Sequence, residues 1–412
     1  MSWISKFLGL KPSVEEFVEI AKSSLAATSE PGQTISYNKD QFTLTVHRAD
    51  GTVAQVFHLH NAYDEYCASP RANRPNVLES YLHPMQELPD SLAEAMPNIL
   101  PRVQRRSFYV DMPMLASLNV ITGPSEPDML HMPFRVLAEH YAVGLIYDTP
   151  KQILQISQHH CGLWKSDLDS IYPQAMKNLE KLTPNPFVQV HDGVYIAGYA
   201  DTHDATRMLL IDRIKECKLI GRPVAMVPNR NTLIITGESD PDGIELMLSL
   251  TEDALKEPRP MLAIPMVLLD NEWRELVLRP DHPHRHIFEE LRISSLADIY
   301  SGQKELLERQ HEKDNVDIFV ASYKAVQKAD TKEVASFAAW TEGVTTLLPK
   351  TNLLTFVRVE GDQGDVVCSV EWDWAQKVVG SLMKPQGIYP ERWLVDSFPN
   401  AAQIEELKRY AK

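Results

Sequence analysis

The sequence predicts an α+β protein with mixed, largely antiparallel sheets, flanking helices and two domains. Three observations carry this prediction. Hairpins closed by short polar turns are interleaved with amphipathic helical stretches, whereas a parallel βαβ fold alternates single strands with single helices. The chain has 412 residues, more than the roughly 250–300 that one hydrophobic core normally holds. The charged run Glu308-Arg-Gln-His-Glu-Lys-Asp314 separates a long first part from a tail of ordinary domain size. The predicted division is an amphipathic segment over 1–12, an α+β body over 13–287, a helical connector over 288–314 and a C-terminal α+β domain over 315–412.

The elements follow in order. Trp3, Ile4, Phe7 and Leu8 share one helical face, expected to pack on the body; docking on a membrane surface is the alternative, which would need more basic charge. Ser13 and Glu16 form a capping box, and Phe17, Ile20, Ala21 and Leu25 supply a helical stripe behind it. Phe42, Leu44 and Val46 alternate, Asp50-Gly51 turns, and Val53, Val56 and Phe57 follow, which predicts a hairpin. Residues 61–86 are helical with breaks near Pro70 and Pro75, and Pro89 and Pro97 bracket a short helix. Strands are expected over 102–111, 135–148 and 152–157, then a helix over 165–182 with Ser166 as its N-cap.

Residues 187–190 and 194–200 form a hairpin across Asp192-Gly193, followed by a helix over about 203–218. A second hairpin, 224–227 and 232–236, closes through Pro228-Asn-Arg-Asn231. Asp240 caps a helix over 241–256 with Pro241 at its first position. Strands over 261–269 and 273–278 complete the body. In the tail, strands are expected over 317–325, 333–340, 352–359 and 366–372, with a final helix over 400–410.

Composition narrows the function classes. Acidic residues outnumber basic ones 56 to 41 and the net charge is −15, a balance opposed to phosphate-backbone binding as the main activity. No apolar run approaches the roughly 18 residues of a membrane span. The first residues carry one cation, Lys6, and no long apolar core, so a secretory signal is not expected and the cytoplasm is the default location. Cys67, Cys161, Cys217 and Cys368 lie far apart without a C-x-x-C pair, which suits buried or single reactive thiols and not a disulfide scaffold.

Several segments then carry a family resemblance. They are Ile99-Leu-Pro-Arg-Val-Gln-Arg-Arg-Ser107, Ala175-Met-Lys-Asn-Leu179, Tyr199-Ala-Asp-Thr-His-Asp-Ala-Thr-Arg207, and Val227-Pro-Asn-Arg230 followed by Leu233-Ile-Ile235. In this order and spacing, about residues 13–280 resemble the YtpQ-like family of bacterial proteins. Thr206 stands where that family usually has Ser. The resemblance implies no activity, ligand or catalytic residue, and the segment after Glu312 lies outside it.

The candidate site residues are Asp201, Asp204, Arg207 and Arg230. Asp204 and Arg207 lie three apart on the expected helix and share a face. Two readings follow: Arg207 is an anion clamp oriented by Asp204, or it is a structural ion pair tying the helix start to the 228–231 turn. His203 is either a base for such a site or an exposed residue at the helix start. Trp340, Trp372, Trp374 and Trp393 crowd the tail and supply either its core or a partner surface. If 371–374 is a strand, one of its tryptophans must face out.

No metal site is expected. His282-Pro-His-Arg-His286 and His159-His160-Cys161 carry ligating atoms, but neither spacing closes a tetrahedral shell. His58 and His60 alternate on a strand face. Glu238-Ser-Asp-Pro-Asp-Gly243 fails as a calcium loop, because Ser249 occupies the twelfth position. Phosphate-loop, dinucleotide, nucleophile-elbow and zinc-protease motifs are absent, and no cofactor is expected. The expected function is therefore a non-catalytic binding or adaptor protein with a protein partner. The alternative is a hydrolase-like enzyme with a pocket near Asp201, Asp204 and Arg207.

Overall fold

The computed structural model describes residues 11–82, 88–118, 130–150, 152–279, 281–327, 334–360 and 363–412. The face formed by Trp3, Ile4, Phe7 and Leu8 lies outside them. The protein is α+β, with several antiparallel or mixed sheets and helices against them.

The N-terminal unit is α1 (Val14–Thr28), the antiparallel sheet β1 (Thr34–Asn38), β2 (Thr43–His47) and β3 (Val53–His58), then α2 (His60–Ala68) and α3 (Arg74–Leu82). Ser13 accepts from the Glu16 amide and Glu16 answers on the Ser13 amide, closing the expected capping box. Phe17, Leu44, Leu59 and Ala62 are fully enclosed in this unit's core.

Next come α4 (Leu92–Ala95), β4 (Ile99–Arg105), α5 (Arg106–Ser117), β5 (Phe134–Leu137), β6 (Tyr141–Asp148), β7 (Ile153–Gln155), α6 (Gln158–Leu163) and α7 (Leu168–Lys181). Strand β6 is the hub, pairing with β4 along one side and with β5 and β7 along the other. The strand expected over 102–111 stops at Arg105 and becomes α5. Tyr109 of that helix explains the change: its buried hydroxyl donates to the Arg102 carbonyl at 2.9 Å and accepts from the Gly144 amide at 3.0 Å, serving both members of one β4–β6 pair. A Cβ at Gly144 would lie 2.7 Å from the Tyr109 ring, so only glycine admits this insertion. The helical cap of α7 is Asp167, whose side chain accepts from the Ser170 amide; Ser166 lies one residue outside it.

The body is completed by an antiparallel sheet of six strands ordered β13-β12-β10-β11-β9-β8. These are β8 (Val188–His191), β9 (Val194–Ile196), β10 (Pro223–Met226), β11 (Ile234–Gly237), β12 (Met266–Leu269) and β13 (Glu272–Glu275), with α8 (Ile211–Lys215) and α9 (Pro241–Leu255) between them. The helix expected over 203–218 is instead a 3₁₀ turn over Ala205–Leu209 followed by the short α8. Asp201 and Asp204 draw the chain into tight turns around Arg207, and this prevents a regular start.

The long helix α10 (Arg285–Asp314) leads into the tail. There β14 (Phe319–Val320), β15 (Lys324–Gln327), β16 (Val334–Thr341), β17 (Thr346–Pro349), β18 (Leu353–Glu360) and β19 (Gln363–Glu371) precede α11 (Trp372–Val379), β20 (Lys384–Pro385), β21 (Arg392–Val395) and α12 (Ala401–Lys408). Two mixed sheets result, ordered β15-β16-β18-β19 and β14-β17-β21-β20, with β16–β18 and β14–β17 parallel.

The expected connector is a packed element. Ile293, Leu296, Ile299 and Tyr300 of α10 belong to the body's main core, which also takes in Tyr323 and Tyr389 from the tail. The tail keeps a cluster of its own around Trp340, Leu348, Phe356 and Val370.

Arg392 holds this seam. It is fully buried, and its guanidinium donates to Gln303 Oε1 at 2.6 Å and to the carbonyls of Ala321, Leu347 and Tyr300 at 2.8, 3.1 and 3.3 Å. Replacing it strands several acceptors at once. Arg392→Met is expected to lower unfolding free energy by about 3 kcal/mol, measured by urea denaturation, since each unsatisfied buried group costs about 1–3 kcal/mol. A change under about 1 kcal/mol would remove Arg392 from this role.

Candidate functional site

Asp201, Asp204 and Arg207 meet, and they close on one another. Arg207 is fully buried. Its Nη1 donates to Asp201 at 2.7 Å and Asp204 at 2.9 Å, and its Nη2 to Asp201 at 2.5 Å and the Leu182 carbonyl at 3.1 Å. Nε donates to Thr183 Oγ1 at 3.1 Å, and the Tyr199 ring covers the guanidinium at 3.8 Å. Arginine has five N–H donors, and all five are engaged.

The carboxylates are equally committed. Asp204 accepts from the Tyr199 and Ala200 amides, and Asp201 from the His203 amide. Burial pushes the Asp201 carboxyl up, but hydrogen bonding and charge from Arg207 outweigh it and hold Asp201 below the usual range. Burial raises Asp204, with its two amides and Arg207 opposing. This cluster fastens the 199–207 segment to the end of α7 and offers no N–H to an incoming anion.

Arg230 stands apart from this cluster. It belongs to the 228–231 turn, whose carbonyl at 230 receives the Ala205 amide at 3.2 Å. Its charged neighbours are Arg102, Asp148 and Glu65. His203, the candidate base, is buried and not exposed, with Nε2 2.9 Å from Asp148 Oδ2.

The tryptophans do not form one surface. Trp340 is 1% exposed and Trp372 5% exposed, and both belong to the tail's core. The 371–374 run is the end of β19 and the start of α11, and a helical turn buries Trp372 without presenting its neighbours as a strand face. Trp374 is half-buried, stacked on Tyr410 at 3.7 Å with Lys377 over its ring. Trp393 is half-buried against Trp372.

A large concavity lies elsewhere, along the seam between body and tail. This cleft of about 930 Å³ is floored by His140, Glu275 and Arg292 from the body and α10, and walled by Lys350, Asn352 and Tyr389 from the tail. His140 Nδ1 is 3.1 Å from the Tyr389 hydroxyl, and its Nε2 is 3.5 Å from Glu275, which Arg292 grips from its other side. Burial alone would raise the Glu275 carboxyl; the His140 hydrogen bond and the Arg292 charge reverse this and hold it at about 2.

A strained turn delivers His140. Ala138 and Glu139, joining β5 to β6, both have positive φ, at 50° and 45°, a conformation that costs a non-glycine residue on the order of 1–3 kcal/mol.

Comparisons with protein-family models, curated proteins and solved structures find no match.

His282, His286 and Trp372, singled out in the sequence, line the cleft, but nothing in the sequence joins them to its floor. The cleft combines residues that lie up to 249 positions apart, as with His140 on its floor and Tyr389 in its wall, and no local motif joins them. A local signal at the floor is the polar Glu139-His140 pair interrupting an apolar run. Among the described residues, no group of three or more His, Cys, Asp and Glu is placed to hold a metal ion. No helix among them is long and apolar enough to cross a membrane.

Two outcomes follow from these geometries. Arg207→Met leaves Asp201 and Asp204 uncompensated and is expected to destabilise the fold by about 3–5 kcal/mol in chemical denaturation. Glu275 has a folded pKa of about 2 against an ordinary 4.5, so it stabilises the fold above about pH 4.5, and that contribution fades as pH falls toward 2. The melting-temperature gap between wild type and Glu275→Gln should therefore narrow steadily from pH 5 to pH 2.5.

Proposed function

We propose that this is a non-catalytic binding protein that takes a basic polypeptide segment in the cleft between body and tail. The observation that carries the reading is the charge of that cleft: six carboxylate residues line it against four lysines and arginines. Its ordered floor suits recognition, because side chains already fixed by one another lose little freedom when a partner docks. The net charge of −15 adds long-range attraction for a basic partner. A polar cleft of this size also fits an extended segment better than the mostly apolar pockets that hold small molecules.

Two further assignments belong to the proposal. One is membership of residues 13–280 in the YtpQ-like family, supported by the ordered segments from Ile99 to Ile235. The other is a cytoplasmic location, which suits Cys67, Cys161, Cys217 and Cys368 all being free thiols.

Fluorescence anisotropy with labelled eight-residue peptides, basic, neutral and acidic, tests the reading on the full chain. The basic peptide is expected to bind, to weaken with added salt, and to lose at least about tenfold in affinity on the Glu289→Lys, Asp373→Lys variant. Circular dichroism checks that this variant keeps its fold. Equal binding of acidic and basic peptides, or an unchanged affinity on charge reversal, would overturn it.

A further inference from the structure

Several of the buried polar atoms without partners lie at one place outside the cleft lining. Among the described residues, seven buried side-chain nitrogen or oxygen atoms lack a hydrogen-bond partner, and four of them are Arg102 Nε and Nη1, Arg230 Nε and His203 Nδ1. Native proteins leave few such atoms, and orphaned guanidinium donors call for an explanation, an unplaced ion being a standard one.

The local architecture brings these residues together. Arg102 lies on β4, paired with Gly144, while Leu100 on the same face is paired with Ile146. The alternation of β6 puts Asp148 on that face as well. The 203–206 segment docks against it through the Val103 amide, 3.2 Å from Thr206 Oγ1, and through His203 on Asp148. The turn carrying Arg230 is bound to the same segment by the Ala205 amide. Four segments, β4, β6, 203–206 and the 228–231 turn, therefore converge on one spot.

Charge does not balance there. Among the described residues, the carboxylates acting on Arg102, Arg230 and Arg259 are Asp148 and Glu65, and both are engaged: Asp148 by His203, and Glu65 by Arg259 at 2.8 Å and the Tyr81 hydroxyl at 2.7 Å. Burial and the Arg230 charge push Arg102 down to about 9, and burial pushes Arg230 down to about 10. Both remain charged at neutral pH. A guanidinium 1% exposed with two idle donors is costly to keep, and Arg207 and Arg392 in the same molecule have theirs filled by protein.

We propose that Arg102 and Arg230 form a binding site for a compact oxyanion of the phosphate class. Their forked donors match phosphate oxygens, and one anion supplies the charge the neighbourhood lacks. Arg230 is half-exposed and gives access from solvent. Asp148 also lines a neighbouring cavity of about 850 Å³ whose other walls include Leu92, Met96, Pro97 and Leu100. That cavity can receive the organic part of a phosphate monoester whose phosphate lies on the arginines.

Isothermal titration and thermal-shift measurements on the full chain, with inorganic phosphate and phenyl phosphate as probes and chloride as control, test the site. Both probes are expected to bind and to raise the melting temperature. Tighter binding of phenyl phosphate assigns the site to monoesters, and equal or weaker binding assigns it to the free ion. Arg102→Met and Arg230→Met should each weaken binding at least about tenfold.

The arginine variants also separate a site from a structural role. With no anion present, Arg102→Met should melt at or above the wild-type temperature, because it removes a buried charge that has no partner. No phosphate-induced shift in wild type, an equal shift in both variants, or a large loss of stability in anion-free Arg102→Met would overturn the proposal.

Discussion

A buried guanidinium must find acceptors for its donors, and the fold is arranged around three places where this demand arises. Arg102, Arg207 and Arg392 are among the largest side chains that solvent does not reach. Arg207 gathers Asp201, Asp204, Thr183 and Leu182, and so shapes the 3₁₀ turn and the end of α7. Arg392 gathers carbonyls from the tail and from α10, joining the first core to the second. Arg102 lies on the hub sheet with two idle donors. Removing water from such a group costs several kcal/mol, so a satisfied arginine is a strong geometric constraint and an unsatisfied one marks an incomplete environment.

Much of the fold was legible in the sequence, and the reason is local chemistry. The Ser13–Glu16 box, the Asp240–Pro241 helix start and the Asp192-Gly193 hairpin each use residues whose preference is set by their own backbone neighbours. Elements decided by distant contacts were not legible. The β5–β6 turn uses Ala138 and Glu139 at positive φ, where glycine or asparagine would have announced it. Helix α5 replaces half of an expected strand because Tyr109 reaches across to Gly144, 35 residues away. Helix α11 was hidden because its short apolar run, Trp372, Ala375 and Val379, reads equally well as strand and loop.

The candidate site divides along the same line. Spacing correctly put Asp204 and Arg207 within reach of one another, but spacing does not count acceptors. Whether an arginine is a clamp or an anchor depends on how many of its five donors the protein has already filled. For Arg207 that number came from Thr183 and Leu182, 24 and 25 residues upstream. The informative arginine was Arg102, which the sequence presents as an ordinary strand residue. Its partner Gly144 looks like a strand irregularity until the Tyr109 ring occupies the space above it.

The cleft and the arginine pair represent opposite ways of building a site, and helix α10 shows why the first can be rigid. Arg292 supports the cleft floor through Glu275, Leu296 and Tyr300 lie in the main core, and Gln303 holds Arg392. A single helix thus carries part of the cleft floor, the body's core and the anchor of the tail within about three turns. A load applied at Arg292 is resisted by packing one turn away and by the Arg392 network two turns further on. On the cleft floor His140, Glu275 and Arg292 are each held by another protein group, so the floor is ordered by the chain itself. Arg102 Nε and Nη1 and Arg230 Nε have no such partner, and the proposed anion would complete their environment.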